Sequence, residues 1–367
     1  MLDDARQCNA SGSAASAEHA GLVFVSDAEK GISRIRRSKL FRYTWPSGQT
    51  VKDLETRARI QSLAIPPAWT DVWICEHAWG HIQATGRDAC GRKQYRYHAD
   101  WNRVRDEAKF ESLLSFGQGL PALRGTIEAH MNERGMGRRR VLATIAHLLD
   151  TTLIRVGNRE YARANKSFGL TTLQDRHVQM NGSEMRFRFR GKTGKEWKLK
   201  ITDRRVARIV KSCQDLPGQH LFQYETEDGS VRQVTSADVN DYLREIAGPA
   251  VTAKMFRTWA GTVLAAAALR EFGTAASATD AKQNIREAVK RVAARLGNTA
   301  SICRKCYIHP KILSGYLAGD LIRSRPARPS KKRTRKETIG ALAFEEQETV
   351  RLLSTGSRSR RARRRIA

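Results

Sequence analysis

The hydrophobic pattern of the chain changes period once, and that change limits the folds open to it. Up to about residue 97 the apolar residues come in short strand-like runs, at 72–75, 81–85 and 93–97. Turn signals stand at 86–88 and at Cys90-Gly91, and Pro66-Pro67 marks a loop before the runs. Near Pro121 the period lengthens. Residues 121–134 and 138–155 place apolar side chains at helical spacing, with Leu142, Ile145, Leu148 and Leu149 on one face. Inside the helical part lies a β insert. Asn181-Gly182, between runs at 176–180 and 184–190, is the strongest two-residue hairpin signal. A second turn, Gly191-Lys192-Thr193-Gly194, leads into a third strand at 196–201. Helices are expected at about 203–214, 236–247, 253–271, 280–296 and 299–308, with Thr279 or Asp280 capping the fourth and Gly297 ending it. No internal repeat is present.

The fold class read from this pattern is α+β: a small β-rich N-terminal domain, then a mainly helical domain with a β-hairpin insert. Residues 1–20, small and polar, read as a disordered lead. Residues 21–110 form the first domain and 111–320 the second. Residues 321–367 read as a basic, largely disordered tail, apart from a short amphipathic stretch near 338–353.

Charge narrows the partners. Lys and Arg number 66 against 37 Asp and Glu, a net +29. The tail, with 15 basic and 4 acidic residues, holds +11 of it, so the remaining chain is basic in its own right at +18. Such a balance favours a polyanion, nucleic acid before an anionic membrane. No run approaches the roughly 18 apolar residues of a membrane span. The start, Met1-Leu2-Asp3-Asp4, is the opposite of a secretory signal, and six cysteines make no disulfide scaffold. A cytoplasmic, reduced protein is expected.

Three familiar motifs fail. Gly191-Lys192-Thr193 has Arg186 where a phosphate-binding loop needs its first glycine, and it lies between two strands. Cys303-x-x-Cys306 lacks a second pair at zinc spacing, although His309 is near. No Gly-x-Gly-x-x-Gly follows a strand. A different set stands in order along the second domain: Arg155 at the end of an apolar helix, Lys192 at a hairpin tip, Arg257 in Lys254-Met255-Phe256-Arg257-Thr258-Trp259, Asn298 after Leu296-Gly297, and Tyr307 nine residues later. Taken singly, each reads more readily as structural; the ordered set is informative.

That order resembles the type IB DNA topoisomerases of the compact poxvirus and bacterial kind, over roughly residues 21–320. The matching segments are Ile154-Arg155-Val156-Gly157-Asn158-x-x-Tyr161, Gly169-Leu170-Thr171-Thr172-Leu173, Phe189-Arg190-Gly191-Lys192, Lys254-x-x-Arg257-Thr258, and Leu296-Gly297-Asn298-Thr299 with Tyr307. In the first domain Gly91-Arg92-Lys93-Gln94-Tyr95-Arg96-Tyr97 also matches. The resemblance implies a tyrosine recombinase/topoisomerase IB-like fold and relaxation of duplex DNA through a 3′-phosphotyrosyl intermediate. No ATP, metal or other cofactor is implied. Tyr307 is then the nucleophile, Lys192 the acid for the 5′-oxygen, and Arg155, Arg257 and Asn298 hold the phosphate. Tyr161 and Lys254 join the DNA contacts. Poxvirus enzymes carry His at the position of Asn298, whereas Asn occurs in bacterial relatives; an amide donates a hydrogen bond but carries no proton. The implied partner is double-stranded DNA and no membrane, bound by a nucleoid-associated monomer.

In the first domain Arg87, Arg92, Lys93 and Arg96 interleave with Tyr95 and Tyr97. Basic residues suit phosphates, and Gln94 and the tyrosines suit base edges or sugars, as the other half of a clamp. A solvated basic strand with tyrosines in the core is the competing reading. Two other functions stay open. A tyrosine recombinase shares the chemistry but usually shows His-x-x-Arg where Lys254-x-x-Arg257 stands, and no clear exchange helix follows Tyr307. A noncatalytic DNA-compacting protein needs charge but not the motifs. If the tail is only a phosphate-binding arm, removing residues 321–367 spares the chemistry. It weakens duplex binding and lowers the slope of log affinity against log salt by roughly 0.9 per lost contact. Loss of single-turnover cleavage at saturating enzyme shows instead that part of the tail packs on the catalytic domain.

Overall fold

Five strands, β1 (Ile32–Arg37), β2 (Leu40–Thr44), β3 (Thr70–Ile74), β4 (Ile82–Arg87) and β5 (Lys93–Tyr97), pair antiparallel in the order β2-β1-β3-β4-β5. The computed structural model describes residues 14, 17, 18, 20–37, 40–319 and 342–355. The chain divides into two units, Met1–Glu111 and Ser112–Ala367, and this sheet belongs to the first. One face of the sheet buries Ile32, Val72, Ile74 and Ala84 against Val51 and against Ile60 of helix α1 (Leu54–Ser62). The runs expected at 72–75, 81–85 and 93–97 correspond to β3, β4 and β5. Strands β1 and β2 escape a hydrophobicity reading for a physical reason. Arg34 occupies β1 two residues after the buried Ile32. Its guanidinium donates to the carbonyls of Ile65, Pro66 and Trp69 at 3.3, 3.1 and 2.6 Å, so the Pro66-Pro67 loop satisfies a cation where an apolar side chain is expected.

The second unit is mainly helical. Helix α2 (Ala99–Met131) begins far before Pro121, and the dividing point between the units lies within it. Leu113, Phe116, Leu120, Leu123 and Ile127 are all buried at three- and four-residue spacing on both sides of Pro121, so packing carries the helix through the proline. There follow α3 (Arg138–Thr152), α4 (Arg159–Asn165), α5 (Arg204–Gln214), α6 (Ser236–Ala247), α7 (Ala253–Phe272), α8 (Ala278–Leu296), α9 (Ala300–Cys306) and α10 (Pro310–Leu317). The insert is a three-stranded sheet, β6 (Val178–Asn181), β7 (Glu184–Arg190) and β8 (Glu196–Thr202), turned at Gly182 with φ +58°. In β7, Met185, Phe187 and Phe189 are buried and Arg186, Arg188 and Arg190 exposed. A short pair, β9 (Gln223–Glu225) and β10 (Val231–Gln233), has no sequence signal strong enough to read. Helix α8 is capped by Ser277, whose hydroxyl accepts from the Asp280 amide at 3.0 Å, rather than by Thr279 or Asp280. Gly297 ends it in the left-handed region, as expected.

The basic clusters at 331–336 and 358–365 lie outside the described residues. The amphipathic stretch noted near 338–353 corresponds to helix α11 (Phe344–Ser354). It packs on the second unit, burying Glu346, Thr349, Leu352 and Leu353, and the carbonyl of Leu353 accepts from Lys311 Nζ at 2.8 Å. Among the described residues, two helices, α10 and α11, therefore follow Tyr307. Among the described residues no helix is long and apolar enough to cross a membrane. A truncation meant to test electrostatics alone must end after Thr355. Deleting residues 356–367, which carry six arginines, is expected to flatten the salt dependence of duplex binding and leave single-turnover cleavage unchanged. Binding across a salt series and cleavage at saturating enzyme check the two halves.

Candidate active site

The segment that presents Arg155 is set by two glycines. Helix α3 ends at Leu153, a left-handed residue with φ +61° whose N–H returns to the Leu149 carbonyl. Residues 155–157 then run against Gly169-Leu170-Thr171. Leu170 N donates to Arg155 O at 2.9 Å and Thr171 N to Val156 O at 2.7 Å. The backbones touch so closely that a Cβ on Gly169 would lie 2.5 Å from Arg155 O and 2.6 Å from Gly157 N. Gly157 itself has φ +105°. The Gly169-Leu170-Thr171-Thr172 motif is thus the backbone support of Arg155.

Helix α7 supplies the second arginine. Arg257 is buried, 3% exposed, and its two terminal nitrogens each donate to a carbonyl: Nη1 to Leu153, at the end of α3, and Nη2 to Leu296 at 2.6 Å, at the end of α8. Just past that end, Arg155 Nη2 donates to Gly297 O at 3.3 Å and to the amide oxygen of Asn298. The Arg257 guanidinium carbon lies 5.3 Å from the centroid of the Tyr307 ring. Tyr307 caps the C-terminus of α9, its N–H on Cys303 O at 2.9 Å. Its own carbonyl accepts from Thr262 Oγ1 at 3.3 Å, and that hydroxyl accepts from His309 N at 3.1 Å. Gly261, beside Thr262 on α7, has no room for a side chain; a Cβ there would lie 2.5 Å from Tyr307 O. One helix therefore presents Arg257 and, one turn on, seats the backbone of Tyr307.

Sequence-predicted Arg155, Arg257, Asn298 and Tyr307 are brought together. Burial lowers the Arg257 pKa to about 10, helped by the neighbouring Arg155 charge and opposed by Tyr307. It stays cationic at neutral pH. Burial likewise lowers Arg155. Two donors in the cluster, Arg257 Nε and Asn298 Nδ2, are buried with no hydrogen-bond partner among the described residues. Cys303 is buried below them. Burial raises its thiol pKa, while Asn298, Arg257 and Arg155 pull the other way.

Lys192 is exposed at the β7–β8 tip, its ammonium 5.7 Å from the centroid of the Tyr161 ring. The base of that tip rests on the Asn298 turn. Lys195 Nζ donates to Ala294 O at 3.3 Å, and a Cβ on Gly297 would lie 3.1 Å from the Trp197 indole. Lys254 is exposed in the first turn of α7, one turn before Arg257.

In the first unit the pleat of β5 separates the predicted contacts. Lys93, Tyr95 and Tyr97 share one face. Tyr95 is 43% exposed and stacks on Tyr97 at 5.8 Å, and Lys93 pairs with Asp27 at 2.5 Å. Gln94 faces the other way, its amide donating to Asp88 at 2.9 Å, and the same carboxylate holds Arg92 at 2.9 Å. Arg92 and Gln94 thus brace the β4–β5 turn. Tyr97 packs on the cluster of Ala17, Leu22 and Trp101, so the core reading holds for Tyr97 and not for Tyr95. The sequence reading missed Gly261, Thr262 and Trp197. Of these only Gly261, a glycine inside an apolar helix, carries a local signal.

A phenol beside a guanidinium held by two backbone carbonyls, with a second guanidinium on Gly297 O and the Asn298 amide oxygen, suits substitution at an anionic phosphodiester with a covalent tyrosyl intermediate. The comparisons agree with that class. Residues 98–318 match the family model of the eukaryotic DNA topoisomerase I catalytic core, and residues 40–88 that of the bacterial DNA topoisomerase IB N-terminal domain. The chain is 32% identical over 289 residues to DNA topoisomerase 1B of Acanthamoeba polyphaga mimivirus, covering 76% of this chain and 85% of that protein. It is 23% identical over 175 residues to DNA topoisomerase I of Monkeypox virus and to DNA topoisomerase 1B of Vaccinia virus (strain Copenhagen), covering 46% of this chain and 56% of each. The chain belongs to the type IB DNA topoisomerase family.

Gly261→Ala should displace Tyr307 and slow cleavage by about 10²-fold, the usual cost of roughly 1 Å of misplacement. Gly119→Ala is the control. It lies in α2 with nothing within 4 Å of its would-be Cβ, and should stabilise the protein by up to about 1 kcal/mol through helix propensity. Thermal melts and single-turnover cleavage separate the two.

Proposed function

We propose that the chain relaxes supercoiled DNA by cutting one strand, holding it on Tyr307, and rejoining it, with neither ATP nor a metal required. The Tyr307 oxygen, its proton passing to solvent water, bonds to phosphorus, and the bond from phosphorus to the 5′-oxygen breaks. Lys192 delivers a proton to that oxygen, since an alkoxide leaves poorly. Religation runs the same steps backwards, with the bond energy kept in the phosphotyrosine. Arg155, Arg257 and the Asn298 amide hold the nonbridging oxygens, whose negative charge grows in the transition state. Arg257 spends two of its five N–H donors on carbonyls, and its Nε has no hydrogen-bond partner among the described residues, so it can turn that donor to the phosphate. The observation that carries this reading is the placement of the buried Arg257 over the Tyr307 ring beside two unsatisfied donors. In this reading residues 111–320 are the catalytic domain, of the type IB fold, and residues 342–355 extend it. Residues 21–110 form a DNA-contacting domain through Lys93 and Tyr95. Tyr161 and Lys254 flank the scissile site. The protein works as a monomer on the nucleoid.

Plasmid relaxation in EDTA without ATP tests the activity. A recombinase needs its own sites, and a compacting protein leaves linking number unchanged unless a topoisomerase is added; either result overturns the proposal. Tyr307→Phe should bind DNA and form no denaturant-trapped adduct, and adducts that persist assign the nucleophile elsewhere. Lys192→Ala should slow cleavage of an ordinary phosphodiester and recover on a substrate with sulfur at the bridging 5′ position, because a thiolate leaves without a proton. Without recovery Lys192 is not the acid. Arg155→Ala and Arg257→Ala should each lose on the order of 10²-fold in cleavage rate.

A further inference from the structure

The carboxylate of Glu346, on helix α11, is 8% exposed and makes four polar contacts. Oε2 accepts from Arg124 Nη1 at 2.9 Å and from the Ala343 amide at 3.0 Å, while Oε1 accepts from Arg124 Nη2 at 2.9 Å and from Trp259 Nε1 at 3.1 Å. Arg124, on α2, turns its remaining edge to Asp150, with Nε on Oδ2 at 2.7 Å and Nη2 on Oδ1 at 3.1 Å. One guanidinium thus grips two carboxylates in bidentate fashion.

The two ends of this network lie beside the two arginines of the site. Asp150 is in the last turn of α3, three residues before Leu153, whose carbonyl receives Arg257, and five before Arg155 itself. Trp259 is two residues after Arg257 on α7. Its ring has no freedom on the far side, because a Cβ on Gly117 of α2 would come within 2.3 Å of it. The gap between α3 and α7 at the level of the arginines is therefore set by a chain of charged and polar groups from Asp150 through Arg124 and Glu346 to Trp259. Remove the Glu346 carboxylate and Arg124 keeps only Asp150, the Trp259 indole N–H is buried without an acceptor, and nothing polar joins the two helices along this path.

We infer that Glu346 is a positioning residue for strand cleavage, supplied by the C-terminal helix, which fixes α7 against the end of α3 so that Arg257 and Arg155 meet the same phosphate. This rests on the assignment of those arginines to the phosphate above. The test is single-turnover cleavage of a suicide duplex at saturating enzyme by the full-length chain, comparing wild type, Glu346→Ala, Arg257→Ala and the double variant. Glu346→Ala should slow the rate constant ~10–100-fold, in keeping with a misplacement of up to roughly 1 Å, with duplex affinity within about twofold. The double variant should cleave within about threefold of Arg257→Ala alone, since residues acting through one another do not add. A wild-type rate constant with a smaller amplitude for Glu346→Ala reduces α11 to a stabilising strap and overturns the inference, as do losses that multiply in the double variant. Arg257→Ala cleaving at the wild-type rate overturns the proposed function, and this inference with it. A slow Arg257→Ala beside a wild-type-rate Glu346→Ala overturns this inference alone. If Glu346→Ala does not fold, Glu346→Gln and Trp259→Phe are scored by the same rate constant and the same pairing with Arg257→Ala. Gln keeps an acceptor for Trp259, and Phe keeps the ring packing, so each is expected to lose about three- to tenfold.

Discussion

The site depends on one buried cation used as a bracket. Arg257 donates to the terminal carbonyls of two helices, Leu153 after α3 and Leu296 at the end of α8, and its guanidinium carbon lies over the Tyr307 ring. Helix C-termini leave carbonyls without intrahelical partners and carry partial negative charge. A guanidinium there does two things: it satisfies orphaned acceptors, and it brings the elements bearing Arg155, Asn298 and Tyr307 into one neighbourhood. Lysine has no planar fork to span the two carbonyls. Burial and the adjacent Arg155 charge both disfavour the cation, so the carbonyls and the phenol are what allow it to sit there.

A bracket of that kind needs short distances, and glycines supply them. The crossing of Gly157 and Gly169, the contact of Gly261 with the Tyr307 backbone and the seat of Trp197 on Gly297 are all places where a Cβ would lie 3.2 Å or less from a neighbouring atom. The first two join segments through backbone, which has less freedom to relax than side chains, and the third seats an indole on a glycine. The hydroxyl of Thr262 adds a hydrogen-bonded link between α7 and both Tyr307 and His309. The motifs that pair an arginine or an asparagine with a nearby glycine are therefore one device. In the proposed reading the polar residue meets the phosphate, and the glycine lets its backbone approach the next segment.

How much of this was legible varies with the range of the interaction involved. The β6–β7 hairpin could be read from Asn181-Gly182 and alternation, and α5 to α8 from period and caps, because those signals are local. Strand β1 was hidden because Arg34 is satisfied by carbonyls from residues 31 to 35 positions away. The start of α2 was hidden by the expectation that Pro121 begins a helix; buried side chains on both sides carry it through instead. Arg155, Arg257, Asn298 and Tyr307 could be named only as an ordered set resembling a known family, since singly each residue looks structural. The exposed face of β5 was half legible. The pleat sends Lys93 and Tyr95 to one side, while Asp88 claims Arg92 and Gln94, and a carboxylate in a turn gave no sign of that.

Helix α11 was legible only as a short amphipathic stretch near 338–353, and the reason its packing was not is chemical. Its sequence is short, acidic at the start and flanked by basic stretches, so amphipathic spacing marks it but names no partner. Its fit depends on Glu346 meeting Arg124, a partner 222 residues away, and on Trp259 lacking any other acceptor. A carboxylate this buried is tolerable only if its charge is matched; Arg124 holds its pKa below the ordinary range although burial alone would raise it. A buried ion pair of this sort is seldom the most stabilising way to fill a space, since apolar residues often do as well. What it offers here is direction. Hydrogen bonds from two nitrogens of one guanidinium and one indole fix the helix at a single register, which apolar contact alone does not. Helix α11 therefore meets the helical unit at one defined depth, against Arg124 of α2 and Trp259 of α7.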